Sequence, residues 1–240
     1  MNRLALLGAA VLALPLLGSP ARAQSPDHGH AHINWFVDGE KFELRHSSQG
    51  ESLVWDVRGW IGTDDEKLVL KSEGAARRTG ALEELEMQAL YSWRSSDLFD
   101  AHAGLRYDYR PVPQRGFAVL GVQGLAPYFV EVGAAAFVSH KGEISARLEA
   151  EYDLYITQAL ILQPHAEVNL SAQNVRERGI GAGISDVELG LRLRYEIERE
   201  FAPYVGVSWE RKLFRSARYA RDEDESPAEL SLVAGVRFRF

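Results

Sequence analysis

The sequence contains no cysteine, which excludes a disulfide framework, a thiolate nucleophile and a cysteine metal site. Basic residues are in the minority: 27 lysines and arginines stand against 34 acidic residues, for a formal net charge of −7. A polyanion of this kind is a poor candidate for binding nucleic acid and a reasonable one for handling cations. The mean hydropathy of −0.21 argues against a bundle of membrane helices. It does not argue against a membrane β-barrel, because such a barrel hides polar residues at every second strand position.

The N-terminus has the three parts of a secretory leader. Arg3 supplies a positive charge, residues 4–17 are apolar, and Ala21-Arg22-Ala23 matches the small-x-small cleavage pattern. We therefore predict a signal peptide over residues 1–23, followed by a flexible, histidine-containing segment over residues 24–37. A retained membrane anchor is the alternative, but the apolar stretch is short for a span and no stop-transfer segment follows it.

From about Lys41 onward, apolar residues recur with a period of two, which is the period of a β-strand. In the last segment, 229–240, the apolar residues Phe238 and Phe240 alternate with Arg237 and Arg239. A helix would place those arginines in its apolar face, whereas a strand points them to one side. The same alternation is found in residues 99–110, 144–156, 162–172 and 186–197.

Twelve runs of this kind are present, and each is close to the length that a tilted strand needs to cross a bilayer. They lie near residues 41–47, 52–62, 67–77, 82–94, 99–110, 115–125, 128–139, 144–156, 160–173, 185–197, 201–213 and 229–240. We predict an all-β fold: a transmembrane antiparallel up-and-down β-barrel of about 12 strands over residues 38–240. The highly charged connection 215–227 is predicted to be a surface loop.

A soluble lipocalin-like barrel is the competing interpretation. Its apolar residues would face inward, and twelve strands would enclose far more volume than Ala, Leu and Val could fill. The opposite face here carries Arg with Glu or Asp in nearly every strand, which suits a wet, ion-paired lumen. Aromatic residues gather near the strand ends, and the chain ends on Phe240, as bacterial outer-membrane barrels commonly do. The sequence therefore predicts a barrel embedded in the lipid of the outer membrane.

Histidine is concentrated just after the predicted cleavage site. His28, His30 and His32 occupy every second position, so three imidazoles could converge on one copper, zinc or nickel ion. A solvated tail in which these histidines are incidental is the alternative. His102 and His165 fall on the polar faces of their strands, where they are either metal ligands or ordinary hydrogen-bonding residues of the lumen.

The polar faces of the predicted strands also supply charged residues that we expect to line the lumen. They are Asp100, Arg106, Asp108, Arg147, Glu149, Glu151, Glu167, Glu188, Arg192 and Arg194. Their simplest role is ion pairing inside a narrow pore. No nucleophile motif surrounds any serine, so we expect neither an enzyme nor an organic cofactor, and a barrel hydrolase is the weakest alternative.

Nine segments follow one another along the mature chain: residues 38–40, 71–74, 104–108 (GLRYD), 121–128, 147–153 (RLEAEYD), 161–164, 188–197, 200–207 and 232–238. Together they resemble the copper resistance protein B family over about residues 38–240. This resemblance implies an outer-membrane protein of a periplasmic copper-tolerance system. Such a protein binds, sequesters or passes copper ions alongside a periplasmic multicopper oxidase.

The chain departs from that family in its N-terminal region. Family members often carry a long segment rich in Met and His, whereas here the segment is short and Met87 is the only methionine beyond the leader. Thioether capture of Cu(I) is therefore not expected, and histidines of the tail would suit Cu(II) or Zn(II) better. A general diffusion channel, or a structural barrel without metal selectivity, is the alternative function.

Overall fold

A computed structural model of the protein describes residues 33–240, which form thirteen strands, two 3-10 turns and one α-helix. The strands are β1 (Asn34–Ser47), β2 (Gly50–Gly62), β3 (Glu66–Arg77), β4 (Leu82–Arg94), β5 (Phe99–Arg110), β6 (Arg115–Ala126), β7 (Val130–Ser139), β8 (Ile144–Glu151), β9 (Leu154–Tyr155), β10 (Leu160–Ser171), β11 (Gly183–Tyr195), β12 (Phe201–Lys212) and β13 (Ala228–Arg239). The 3-10 turns are Pro127–Phe129 and Arg176–Arg178, and the helix is α1 (Phe214–Asp222). No helix within residues 33–240 is both long and apolar enough to cross a membrane.

The strands form one closed antiparallel sheet. Neighbours along the chain pair with each other, and β13 pairs back onto β1, for example Ala234 with Leu44. β8 and β9 both pair with β10, so they occupy one position of the wall, interrupted at residues 152–153. The wall therefore has twelve positions, and the predicted barrel is confirmed. Closure leaves no sheet edge with unpaired backbone groups, which a bilayer would not tolerate.

Alternate residues of the strands point to opposite sides of this wall. Large apolar side chains are exposed on the outside, with Leu105 69% and Leu232 63% accessible. Charged side chains are buried inside, with Glu43 0% and Arg194 1% accessible. The predicted orientation is thus confirmed, and it is the reverse of that in a lipocalin-like barrel.

The two ends of the barrel differ in the length of their connections. One end, here called the inner end, holds Asn34 and Phe240 and short turns of three to five residues. The other, the outer end, has two longer connections, 172–182 and 213–227. In bacterial barrels the short turns face the periplasm and the longer loops face the exterior, which orients this barrel.

A β-bulge in β1 alters which residues reach the lumen. Gly39 pairs with Val57, but the next paired residue is Lys41, opposite Asp56. Glu40 is the extra residue of the bulge, and both Glu40 and Lys41 line the interior. A bulge of this kind lets two consecutive side chains share a face that would otherwise take every second residue.

Two segments differ from what the sequence indicates. Residues 34–37, expected to precede the barrel, belong to β1 and pair with β2 from Asn34 onward. The prediction of a loop over 215–227 is wrong for its first part, which is α1. Ser216, Ala217 and Ala220 are buried, and the Oγ of Ser216 accepts a hydrogen bond of 2.9 Å from the backbone N–H of Gly181. Small residues on one helix face allow this close approach, a signal that the surrounding charges obscure.

Candidate functional site

The interior of the barrel contains two cavities. The inner chamber, of about 480 Å³, opens towards the inner end, and the outer chamber, of about 690 Å³, lies under the long connections. The two chambers share the wall residues Lys41, Asp56, Glu73, Phe137, Arg147 and Glu167. These shared residues form a layer across the middle of the lumen, which we call the central barrier.

Arg147 is the main component of the central barrier. From β8 its guanidinium reaches the nearly opposite wall, where Nη1 donates to Glu73 at 3.0 Å and Nη2 to Glu86 at 3.1 Å. On its own side it donates to Asn169 at 3.3 Å and lies 3.4 Å from Glu167. One planar cation thus connects carboxylates of both walls, which is the arrangement that suits arginine rather than lysine.

Aromatic rings extend the central barrier towards the outer end. The guanidinium of Arg106 lies 5.1 Å from the ring centre of Phe117 and 4.7 Å from that of Phe137, within the range of cation–π attraction. The same guanidinium is 2.7 Å from carboxylate oxygens of Glu86 and Asp108. Phe117 and Phe137 belong to an apolar cluster with Val69, Leu90 and Val119, so this part of the lumen is filled rather than open.

A second buried network joins β1 to β11 and β12. Glu43 accepts hydrogen bonds from Arg192 through both carboxylate oxygens at 3.0 Å, from Arg45 at 2.8 Å and from the hydroxyl of Tyr204 at 3.0 Å. Arg45 also donates to Glu188 at 2.9 Å. A carboxylate with this many donors is fully satisfied despite its burial, so the network serves to hold the walls together.

The connection 172–182 folds over the outer chamber. The guanidinium of Arg178 donates to Asp108 at 2.6 Å, inside the barrel. Glu177 accepts from Arg115 at 3.0 Å and from Lys141 at 3.4 Å. The hydrogen bond from Arg115 and the positive charge of Lys141 hold the pKa of Glu177 below its usual value.

Acidic side chains predominate in both chambers. The inner chamber is lined by ten acidic and six basic residues, and the outer chamber by sixteen acidic and eight basic ones, counting the shared residues in both. Glu84, Asp186, Glu188 and Glu210 lie beside one another in the outer chamber. In the inner chamber, Glu40 of β1 lies within hydrogen-bonding reach of Glu151 on β8. Both chambers therefore carry negative charge that attracts cations.

The structure brings the candidate residues of the strands to the lumen. The inner chamber is lined by His102, Asp100, Glu149, Glu151, Glu167 and His165. The outer chamber is lined by Arg106, Asp108, Glu188 and Arg147. Arg147 and Glu167 border both chambers. Arg192 and Arg194 are buried in the wall beside them. Arg194 donates to Asp153 at 2.6 Å. His28, His30 and His32, with the predicted leader, lie outside the described residues.

The lumen also contains residues that the sequence-based set lacks. Glu43, Glu73 and Glu86 lie on the polar faces of β1, β3 and β4, so the same two-residue alternation could have identified them. Phe117 and Phe137 gave no such signal, because β6 and β7 are apolar on both faces. Among residues 33–240, no three His, Cys, Asp or Glu side chains are arranged so that they could hold a metal ion.

The chain matches the family model described as copper resistance protein B precursor (CopB) over residues 33–240, the whole of the barrel. The chain belongs to the copper resistance protein B family. The resemblance inferred from the sequence is therefore confirmed, and with it a role in copper tolerance at the outer membrane.

Two relatives support this assignment to the copper resistance protein B family. The copper resistance protein B homolog of Pseudomonas syringae pv. tomato is 46% identical over 208 residues, which cover 87% of this chain and 70% of the relative. Copper resistance protein B of Escherichia coli is 43% identical over 216 residues, covering 88% and 73%.

Two solved structures with a similar fold are porins. The NanC porin superposes with a TM-score of 0.54 at 12% identity, covering 85% of this chain and 99% of the porin. The KdgM porin gives a TM-score of 0.50, also at 12% identity and with the same coverage. At such identities the likeness concerns the barrel fold alone.

Proposed function

We propose that this barrel supports copper tolerance by binding copper ions in its lumen and passing them across the outer membrane. The observation that carries this proposal is the excess of acidic over basic residues in both chambers. Rings of Asp and Glu select cations in channels, because they replace part of the hydration shell and repel anions. Copper is the cargo in this proposal, and the role is one of transport or retention rather than catalysis.

The distribution of the positive charges supports the same proposal. Arg147, Arg106 and Arg178 are each engaged by carboxylates in or above the central barrier. Glu84 and Glu210, in contrast, make no ion pair with any residue in the range 33–240. Carboxylates of this kind, beside further carboxylates, gain most from an incoming cation.

The N-terminal histidines extend this proposal to the periplasmic side. β1 begins at the inner end, which faces the periplasm, and the segment with His28, His30 and His32 precedes β1 in the chain. Imidazoles there would capture Cu(II), and a periplasmic multicopper oxidase is the partner that the family's copper-tolerance role suggests.

Cell growth and ion flux test the proposal. A deletion strain should be copper-sensitive, and the native gene should restore tolerance. A variant with Glu84→Gln and Glu210→Gln should restore less, because it lowers the charge of the outer chamber without changing side-chain size. Glu198→Gln is the matched control, since Glu198 is exposed in the turn 196–200 at the inner end. Full tolerance in the deletion strain would contradict the copper role.

A general diffusion channel is the second candidate, and the porin-like fold is the observation that favours it. Proteoliposomes separate the two. Copper-selective passage should admit Cu(II) and be slowed by the Glu84→Gln, Glu210→Gln variant. Equal passage of potassium and of small sugars, unchanged by that variant, would favour the general channel.

A further inference from the structure

We infer that His165 and Glu151 form a binding point in the inner chamber for a divalent first-row metal ion, and that Cu(II) is the ion bound most tightly. His165 lies on β10 and Glu151 on β8, where these two strands pair. The side chain of His165 is only 8% exposed, and neither ring nitrogen has a hydrogen-bond partner within residues 33–240. A buried imidazole is normally hydrogen-bonded, so one whose ring nitrogens are unpaired within residues 33–240 and that lines a cavity is available to bind a ligand there.

The distance between the two side chains fits an ion better than a hydrogen bond. Nδ1 of His165 lies 3.7 Å from Oε2 of Glu151, beyond hydrogen-bonding range. If an ion lay between these atoms with bonds of about 2.0–2.1 Å to each, the Nδ1–ion–Oε2 angle would be about 130°. The separation is therefore one that a single ion can span without movement of the backbone.

Glu151 is held in a suitable position for this role. Its Oε1 accepts a hydrogen bond from the amide of Gln163, which also donates to Asp153 at 3.1 Å. No amide, guanidinium, ammonium or hydroxyl group within residues 33–240 donates to Oε2, the atom that faces His165, although the carboxyl of Glu40 lies near the same carboxylate. The amide thus orients the carboxylate and leaves one oxygen available to an ion.

The surrounding charge favours a cation. Three acidic groups face this pair, Glu40, Glu167 and Glu188, and three basic groups oppose them, Lys41, Arg192 and Arg237. Acidic groups remain in excess once Glu151 is counted. Two protein ligands leave the other positions of the ion to water, so the ion can be exchanged, which is what passage through a channel requires.

This inference rests on the proposed function, because it identifies where in the inner chamber the copper cargo is held. Imidazole and carboxylate are donors suited to Cu(II), which binds such sites more tightly than the other divalent first-row ions do. Zn(II) should therefore compete at the same point with lower affinity.

The test uses the full mature chain in detergent, with His28, His30 and His32 replaced by Ala to remove competing imidazoles. Cu(II) alone is titrated, and electron paramagnetic resonance records nitrogen coupling from a bound imidazole. We expect one site with such coupling. His165→Ala should abolish the coupling and weaken binding at least about tenfold, and Glu151→Gln should weaken binding by a similar factor.

Two matched controls keep the result specific. His102→Ala removes the other imidazole that lines the inner chamber. His46→Ala removes an exposed imidazole at the outer end, whose Nδ1 lies 3.5 Å from a carboxylate oxygen of Glu51. Both should retain the site. His165→Asn is the second variant, in case the alanine variant does not fold; its folding is checked by altered mobility in unheated gels.

The inference is overturned if His165→Ala and His165→Asn keep the nitrogen coupling and affinity, or if His102→Ala or His46→Ala removes them. Copper flux distinguishes this failure from failure of the proposed function. Normal flux in native proteoliposomes together with an unchanged site in His165→Ala would refute the binding point alone. No copper flux in the native protein would refute the passage itself.

Discussion

Replacing Arg147 with alanine should open the central barrier. Its side chain is 13% exposed, and its guanidinium connects Glu73 and Glu86 on one wall with Glu167 on the other. Its removal joins the chambers of about 480 and 690 Å³ and leaves Glu73 and Glu167 without their cation. We therefore expect a severalfold higher single-channel conductance in planar bilayers and a stronger preference for cations.

The same substitution should lower the stability of the barrel. Removing one partner of a buried charge network costs about 3–5 kcal/mol, because the remaining charges stay desolvated. Both neighbouring chambers are large enough to admit water to the freed carboxylates, so we expect about 2–3 kcal/mol here. Denaturant unfolding in detergent measures this difference.

Two controls define the result for Arg147. Arg147→Lys keeps the charge but concentrates its three donors on one nitrogen, so it should not span both walls as the guanidinium does, and its conductance should lie between those of the native protein and the alanine variant. Arg211→Ala removes an exposed arginine of β12 and should leave conductance unchanged. If Arg147→Ala conducts like the native protein and keeps the native reversal potential, the central barrier does not control passage.

Three further predictions concern the outer end and the barrel wall. Because the pKa of Glu177 is lowered, its contact with Arg115 stabilises the connection 172–182 at pH values above the usual pKa of glutamate. This stabilisation is lost as the pH falls through the lowered pKa. Protease cleavage of the connection should therefore increase in acid, and also in the Glu177→Gln variant at neutral pH. Gly104→Val should destabilise the barrel by about 1–3 kcal/mol, because a Cβ there meets the backbone of β4. Gly59→Ala, where the nearest atom would be 3.7 Å away, is the tolerated control, and equal unfolding midpoints would contradict this packing argument. Leu105→Arg, on the outward face, should cost about 2–4 kcal/mol if it lies near the midplane, and no loss of stability on refolding into vesicles would contradict the orientation.

The strand pattern was largely predictable because it depends on local chemistry. The two-residue alternation requires only that one face meets lipid and the other meets water, so each strand carries its own signal. The predicted bounds of 82–94 and 99–110 coincide with β4 and β5. α1 was not predictable in the same way, since its contact with Gly181 depends on a connection that is distant in the sequence.

The sequence by itself determined the barrel, the strand faces that meet lipid, the polar character of its lumen and its family. Only the tertiary structure decided which charges meet across that lumen. The partners of Arg147 lie 74 and 61 residues away, and their meeting follows from the closure of twelve strand positions into a ring. The division into two chambers and the unpartnered His165 are consequences of that closure, because a periodic pattern assigns side chains to a face but not to the opposite wall.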